Sequence, residues 1–542
     1  LTRPAPLGEV ESIERSPSPH DCALREEPRM EHATTGTGAT LKVPRRHVLL
    51  GTGAVLAAAA VRPGRATAQA RKGEIVAGLS ERMLTLDPAN HYSISATSVL
   101  RHIYDPLVEV TDDSKFMPCL AETWTPVNNT TWRFTLRKGV KFHDGTPFTA
   151  DSVLYSLKRA RDNTKLIKAF VYQDIDDVRK EGDFTVIVTT KRPFGSLPAH
   201  LTMLGMLPPS AAANEDAFFQ KPVGTGPFKF GGWTHGEVIT LLANADYWKP
   251  GIPKVEKVTF RFIPELSTRL AALRAGELQV IDRVWPDNVQ TLKSTPGVRV
   301  VDTPAIEAQR WIFQLAKDPV KDPRVRKAIS LAIDRNVIIK DFLLGYARPV
   351  DSPIPPGLIG HTNLGQKSYD PEKARQILKE AGYKNLSLDF VLMKDLYPKQ
   401  LEIVQAVAAM LGDVGITVNI KNLEIATARE ARTAGNYDMF FSGWAHMPHD
   451  PDWYLGQWFT KVGAEKLTRY DNPKIEALIA EGRVPDPKVR QAKYEEIEKA
   501  LWEDEPEIWP YYSVAIYAIS DKLQNFQARG DYYVLLYDVS LR

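Results

Sequence analysis

The sequence predicts an α/β protein built as two lobes, and three observations carry that expectation. From residue 71 onward, stretches of period-two hydrophobicity alternate with stretches of helical period. Residues 386–424 read as strand, helix and strand, a unit whose crossover is right-handed and whose strands are parallel. No internal repeat or long low-complexity linker interrupts the 542 residues, a length that exceeds one ordinary hydrophobic core.

The elements follow in order. "TWRFTLR" (131–137) places Trp132, Phe134 and Leu136 on one face, as a half-buried strand does. "FTADSVLYSLKRA" then sets Val153, Leu154 and Leu157 at helical spacing. "KVTFRF" (257–262) alternates as a strand, and "LSTRLAALRAGEL" after it reads as a helix. "DPRVRKAISLAIDR" opens with Asp322 as N-cap and Pro323 at the first helical position. "DPEKARQILKEAG" repeats the device, from Asp370-Pro371 to a closing Gly382. "LSLDFVLM", "KQLEIVQAVAAMLGDVG" and "ITVNIKNLE" form the strand–helix–strand unit.

The first 70 residues stand apart. Arg45-Arg46 precede a small-residue apolar run, Val48–Val61, and Ala68-Gln69-Ala70 suits a signal peptidase. The run is too short for a permanent membrane span, and the arginine pair favours a twin-arginine signal. Residues 1–70 are therefore expected to be a disordered leader and signal peptide, with Met30 a plausible true start and the product periplasmic. Beyond the leader the chain holds 60 basic and 59 acidic residues, which gives no bulk reason to bind nucleic acid. Cys22 lies in the leader, so Cys119 is alone in the mature chain and no internal disulfide is expected. No cysteine sits at the cleavage point to carry a lipid.

Enzyme signatures are absent: there is no HExxH, GxSxG, GxxxxGK[ST] or zinc-spaced Cys/His cluster. In "PVGTGPFKF", Gly224 and Gly226 are expected to let the backbone turn tightly between lobes. Eleven tryptophans are present. Two follow strand signals, Trp285 after "LQVIDR" and Trp444 after "YDMFFSG", where α/β clefts are lined.

"LAETWTPVNNTTWRFTLRKGVKFHDGTPFTADSVLYSLKR" (120–159) closely resembles the signature of family 5 extracellular solute-binding proteins. The likeness continues through "PVGTGPFKF", "NADYWKPGIPKVEKVTFRFI", "DPRVRKAISLAIDR", "YDPEKARQILKEAG" and the "GW…DPD" stretch, covering 74–542 in order. These are periplasmic receptors of dipeptide, oligopeptide, nickel and opine ABC importers. The resemblance implies a class II, cluster C type periplasmic-binding-protein fold with a hinge crossed twice. It implies a large lobe over 71–284 with an inserted subdomain near 105–220. A small lobe over 285–505 and a return to the large lobe over 506–542 complete it. It also implies a monomer that captures a small solute and delivers it to ABC permease and ATPase subunits, with no cofactor and no covalent chemistry.

In dipeptide receptors of the family, an aspartate three residues after the Trp of "GW" accepts the peptide amine. Gapless alignment puts Met447 there, and puts Lys394 where an arginine holds the carboxylate. One pole of a zwitterion clamp is lost and the other keeps its sign. That implies an anionic or polar neutral solute rather than a simple dipeptide, unless Asp450 or a one-residue gap restores the clamp. In "GWAHMPHDPDWY" (443–454), Trp444 and Trp453 offer aromatic walls, and His446 and His449 stand i, i+3. Pro448 and Pro451 oppose a helix that would converge the histidines. Asp450 reads first as a turn former capping backbone amides. Further cleft candidates are Tyr92 after the first strand, Arg310 and Trp311 at the start of a strand, and Arg348 in a small-lobe loop. A nickel-chelate or haem receptor is the alternative, and a secreted hydrolase using the Asp/His loop is the more remote one.

Overall fold

The computed structural model describes residues 73–542. The leader features expected from the sequence, Arg45, Arg46, the apolar run, Ala68-Gln69-Ala70, Met30 and Cys22, lie outside the described residues.

A mixed sheet of twelve strands runs through the molecule. From one edge its main path is Ile416–Leu423, Leu386–Met393, Met439–Ala445, Val298–Phe313, Tyr512–Ser520, Val280–Ile281, Glu74–Leu79, Lys257–Phe262, Val238–Ala243 and Phe228–Thr234. The strand Val298–Phe313 belongs to both halves. Its first part pairs antiparallel with Tyr512–Ser520, and its second with Met439–Ala445. The register shifts between Pro304 and Ala308, where proline withholds a ladder donor. On one side of that shift, Ile75, Ala77, Phe260 and Tyr517 share a core. On the other, Ile306, Ile312 and Phe440 lie in one core and Phe313, Phe390 and Phe441 in a second. The helix Pro286–Lys293 buries Val289 and Leu292 with Leu273, Ile281 and Ile516. Residues 285–304 thus pack with cores of the first half, whereas the family resemblance places them in the small lobe.

Local chemistry accounts for the elements. Thr131–Leu136 buries Trp132, Phe134 and Leu136, as its alternation demands. With Ala121–Asn128, Ile175–Lys180 and Thr185–Thr190 it forms a separate four-stranded antiparallel sheet. That sheet has its own core, drawn from residues 89–206 and closed by the helix Ala150–Asp162. Asp322 caps Pro323–Leu331 by accepting from Arg324 N, and Asp370 caps Pro371–Glu380 by accepting from Lys373 N. The same Asx-Pro start recurs at Asn472 before Pro473–Glu481 and at Asp486 before Pro487–Asp504. Gly382 ends its helix at φ +82°. Leu386–Met393 and Ile416–Leu423 pair in parallel over eight residues. Their crossover helix, Gln400–Asp413, buries Ile403, Val404, Val407 and Leu411 completely, each worth about 1.5–3 kcal/mol.

Gly224 and Gly226 serve a purpose other than the expected turn between lobes. A Cβ on Gly224 would lie 1.9 Å from the carbonyl oxygen of Ile103, and one on Gly226 would lie 2.6 Å from that of His102. Bare backbone lets "GTG" pack against the end of the helix Ile94–Ile103, where Gly226 N donates to Ile103 O at 2.9 Å.

Candidate functional site

Strand ends from both halves surround a cavity of about 790 Å³, within the usual range for small-molecule sites. Ser80 and Glu81 continue from Glu74–Leu79, and Arg283, Val284 and Trp285 follow Val280–Ile281. From the other half, Lys394–Pro398 follow Leu386–Met393. The two long strands that join the halves supply Glu307, Gln309 and Ser513, with Tyr511 just before the second, and Tyr532 comes from the C-terminal segment. Placement beyond the carboxyl ends of sheet strands is the general position of ligand clefts in open α/β sheets.

Arg283 is held in the left-handed region at φ +46°, a backbone choice that costs a non-glycine residue about 1–3 kcal/mol. Its guanidinium lies 3.6 Å from Glu81 and 4.9 Å from the centre of the Tyr532 ring. Below it, Asp282 is buried, accepts from Ser80 Oγ at 2.8 Å and faces Arg269 at 3.8 Å. Glu307 is buried, and burial pushes its carboxyl above the ordinary carboxylate range, opposed by the Arg283 charge.

The sequence-derived candidates are distributed unevenly. Trp285, half-buried at the N-cap of its helix, and Lys394, exposed and 2.9 Å from Glu424, line the cavity. The others are not among its lining residues. Arg310 and Trp311 stand near the end of Val298–Phe313, not at its start. Strand alternation sends Arg310 to the opposite face, where it pairs with Glu507 at 2.8 Å and lies 3.7 Å from the Trp458 ring centre. Trp311 shares the face of Glu307 and Gln309 but is submerged against Phe390 and Phe441. Arg348 is exposed on a two-residue strand, Ala347–Arg348, paired with Tyr512 and Ser513, rather than in a loop. Met447 is half-buried against the core around Glu74–Leu79.

Most polar groups of the loop 443–454 are already engaged. Asp450 accepts two hydrogen bonds from Arg490, at 2.7 and 2.8 Å, and one from Asp452 N. Asp452 pairs with Arg483 and accepts from Ser196 Oγ, both at 2.8 Å. His449 meets Ser114 Oγ at 2.9 Å and Asp531 at 3.3 Å. His446 is buried against Tyr454 with neither ring nitrogen partnered. Burial, reinforced by Arg310 and His449, pushes its pKa down to about 3. Trp453 packs between Trp444, Tyr92 and Phe170, with ring centres 5.6–5.8 Å apart, and the Tyr92 hydroxyl donates to Ile167 O. Among the described residues no group of three or more His, Cys, Asp or Glu side chains is arranged to hold a metal ion.

Sequence reading did not single out Arg283, Glu307, Gln309, Ser513 or Tyr532. One usable signal existed: in "IEAQRWIF", Glu307 and Gln309 stand i, i+2 on one face of a stretch whose only other polar residue is Arg310.

Residues 115–466, well over half of the chain, match the model of the bacterial extracellular solute-binding proteins, family 5. The chain belongs to that family. Its function is that of the family, capture of a small solute for an ABC importer, and the family is one of binding proteins rather than enzymes. Among curated relatives, the glutathione-binding protein GsiB of Escherichia coli K12 is 28% identical over 477 residues, spanning 84% of this chain and 92% of the relative. Among solved structures, the periplasmic binding protein DppA from Helicobacter pylori, in complex with the peptide STSA, superposes with a TM-score of 0.75 at 28% identity. That match covers 87% of this chain and 98% of the other. AgaA from A. tumefaciens R10, in complex with agropinic acid, gives 0.74 at 27% identity, covering 87% and 99%. The two-lobed binding-protein architecture expected from the sequence is the observed fold.

Proposed function

We propose that this chain is a periplasmic receptor that closes its two lobes on a small peptide-like or opine-like polar solute and presents it to an ABC permease. The single observation that carries the reading is the cavity of about 790 Å³, walled by strand ends of both halves and backed by the two strands that join them. A site so placed changes shape when the halves move about their shared strands, so ligand contacts and lobe position are coupled. Closure removes water and strengthens each polar contact inside. The change of core partner near Pro304–Ala308, and again where Glu507–Ile508 leads into Tyr512–Ser520, supports hinge crossings at those points. In this reading the small lobe begins near residue 305, and the sheet-bearing insert of residues 89–206 belongs to the large lobe. Export through the twin-arginine route and a monomeric state complete the proposal.

The mature chain titrated with glutathione, small peptides and agropinic acid is expected to bind at least one class saturably, with a fall in radius of gyration by small-angle scattering. Binding without compaction would sink the closure mechanism. A reporter carrying residues 1–70 should be exported only while the twin-arginine translocase is active.

A further inference from the structure

The back wall of the cavity carries a hydrogen-bond acceptor without a donor to match it among the described residues. Glu307 and Gln309 stand two apart on Val298–Phe313 and so share one face. Gln309 Nε2 donates to Glu307 Oε1 at 2.6 Å, and Ser513 Oγ donates to the same oxygen at 3.3 Å. The carboxylate fixes the amide orientation, since the amide oxygen would be repelled there. Gln309 Oε1 is left buried at the cavity wall with no partner, in a side chain 2% exposed. Such an orphan acceptor costs about 1–3 kcal/mol until a donor arrives.

The charge arrangement points the same way. Each cation lining the cavity already faces a carboxylate: Arg283 faces Glu81 at 3.6 Å, Arg269 faces Asp282 at 3.8 Å and Lys394 faces Glu424 at 2.9 Å. Glu307, in contrast, forms no ion pair among the described residues, and its close partners, Gln309 and Ser513, are neutral. Arg283, whose charge acts on Glu307, lies beyond ion-pair distance of it, and the lining carries four acids against three bases. Gly443, the glycine of the "GW" loop, lies against this pair: a Cβ there would sit 2.8 Å from Gln309 Nε2 and 3.0 Å from Glu307 Oε1.

We propose that Glu307 and Gln309 form a subsite for a cationic nitrogen with several N–H donors, a primary ammonium or a guanidinium, so that the solute is amine- or guanidine-bearing rather than purely anionic. The proposal rests on the solute-receptor reading above and names the solute class of the same cavity.

Calorimetric titration of the mature protein with Ala-Ala, N-acetyl-Ala-Ala, agmatine and succinate tests it. At least one of the two amine-bearing probes is expected to bind. Acetylation should weaken the dipeptide, and Glu307→Gln should weaken the bound amine or guanidine probe, each by about 30-fold or more, as expected when a buried charge pair loses one member. The acetylation arm uses unaltered protein, so it stands even if the variant folds poorly. Tighter binding of nitrogen-free succinate than of both amine-bearing probes overturns the subsite and leaves the receptor reading intact. Amine-probe affinity that Glu307→Gln does not change, or no binding by either amine-bearing probe, also overturns it. The receptor reading falls separately, if no small solute binds saturably, including any that copurifies.

Discussion

The loop 443–454 and the cavity wall of Arg283, Glu307 and Gln309 hold the same kinds of side chain in different electrostatic states. In the loop, Asp450 and Asp452 are each paired with an arginine at bonding distance, and His449 bridges Ser114 and Asp531. Those contacts tie the loop to the insert, to the helix Pro487–Asp504 and to the C-terminal segment. In the wall, among the described residues, Gln309 Oε1 has no partner, Glu307 feels the Arg283 charge only from beyond ion-pair distance and Arg283 is only loosely opposed. The satisfied acids of the loop hold parts of the protein together, although the ring nitrogens of His446 and the Trp453 indole have no partner among the described residues. An unsatisfied cluster keeps bonding capacity for a ligand. Chemical density along the sequence does not distinguish the two.

Substitutions can break or sharpen that contrast. The largest effect is expected at Asp450→Ala, which leaves Arg490 as a buried charge without its partner and should cost about 3–5 kcal/mol in denaturant unfolding. A loss under about 1 kcal/mol would show the loop to be less structural than its bonds imply. Asp452 comes next, through pH. Burial pushes its carboxyl up, but Arg483, His200 and Arg490 together hold its pKa down, to about 2 against 3.8. A depressed carboxyl stabilises the fold above its unfolded value and loses that contribution as pH falls from about 4 towards 2, here about 2 kcal/mol. Acid unfolding of Asp452→Asn should show a correspondingly shallower pH dependence.

Glu307→Gln should do the opposite of Asp450→Ala. Because the carboxyl is desolvated and in no close ion pair among the described residues, the melting temperature should hold or rise while affinity for amine-bearing probes falls. A clear destabilisation, seen by thermal unfolding, would move Glu307 into the structural class. The smallest effect is expected at Lys394→Ala, whose exposed ammonium already faces Glu424. Affinity should change by no more than about threefold by calorimetry, as for a solvent-screened charge.

Much of the fold was legible in the sequence, because its signals are local. A cap such as Asp322 or Asp370 bonds an amide within three residues, and the alternation in "TWRFTL" needs only neighbours to read. The strand–helix–strand unit was equally plain, since its register follows from two adjacent runs and the helix between them. Family-level function was legible too, through the ordered likeness along the chain. The site was legible only in part. Trp285 could be placed because a strand end predicts a cleft, and Lys394 through the family resemblance, whereas the same strand-end argument misplaced Trp444. Arg310 and Trp311 were near the cleft in number but not in position, since one step along the strand from Gln309 reverses the face and the next passes into the core.

The sequence by itself determined the order of elements, their caps, the α/β class and the family of this protein, all of which depend on residues close in the chain or on overall likeness. Only the tertiary structure decided which polar groups are consumed and which remain open. Asp450 is spent on Arg490, forty residues away, whereas Glu307 meets Ser513 across 206 residues and has no cation at bonding distance among the described residues. Hydrogen-bond satisfaction is settled by pairings of that range, and no local pattern encodes it.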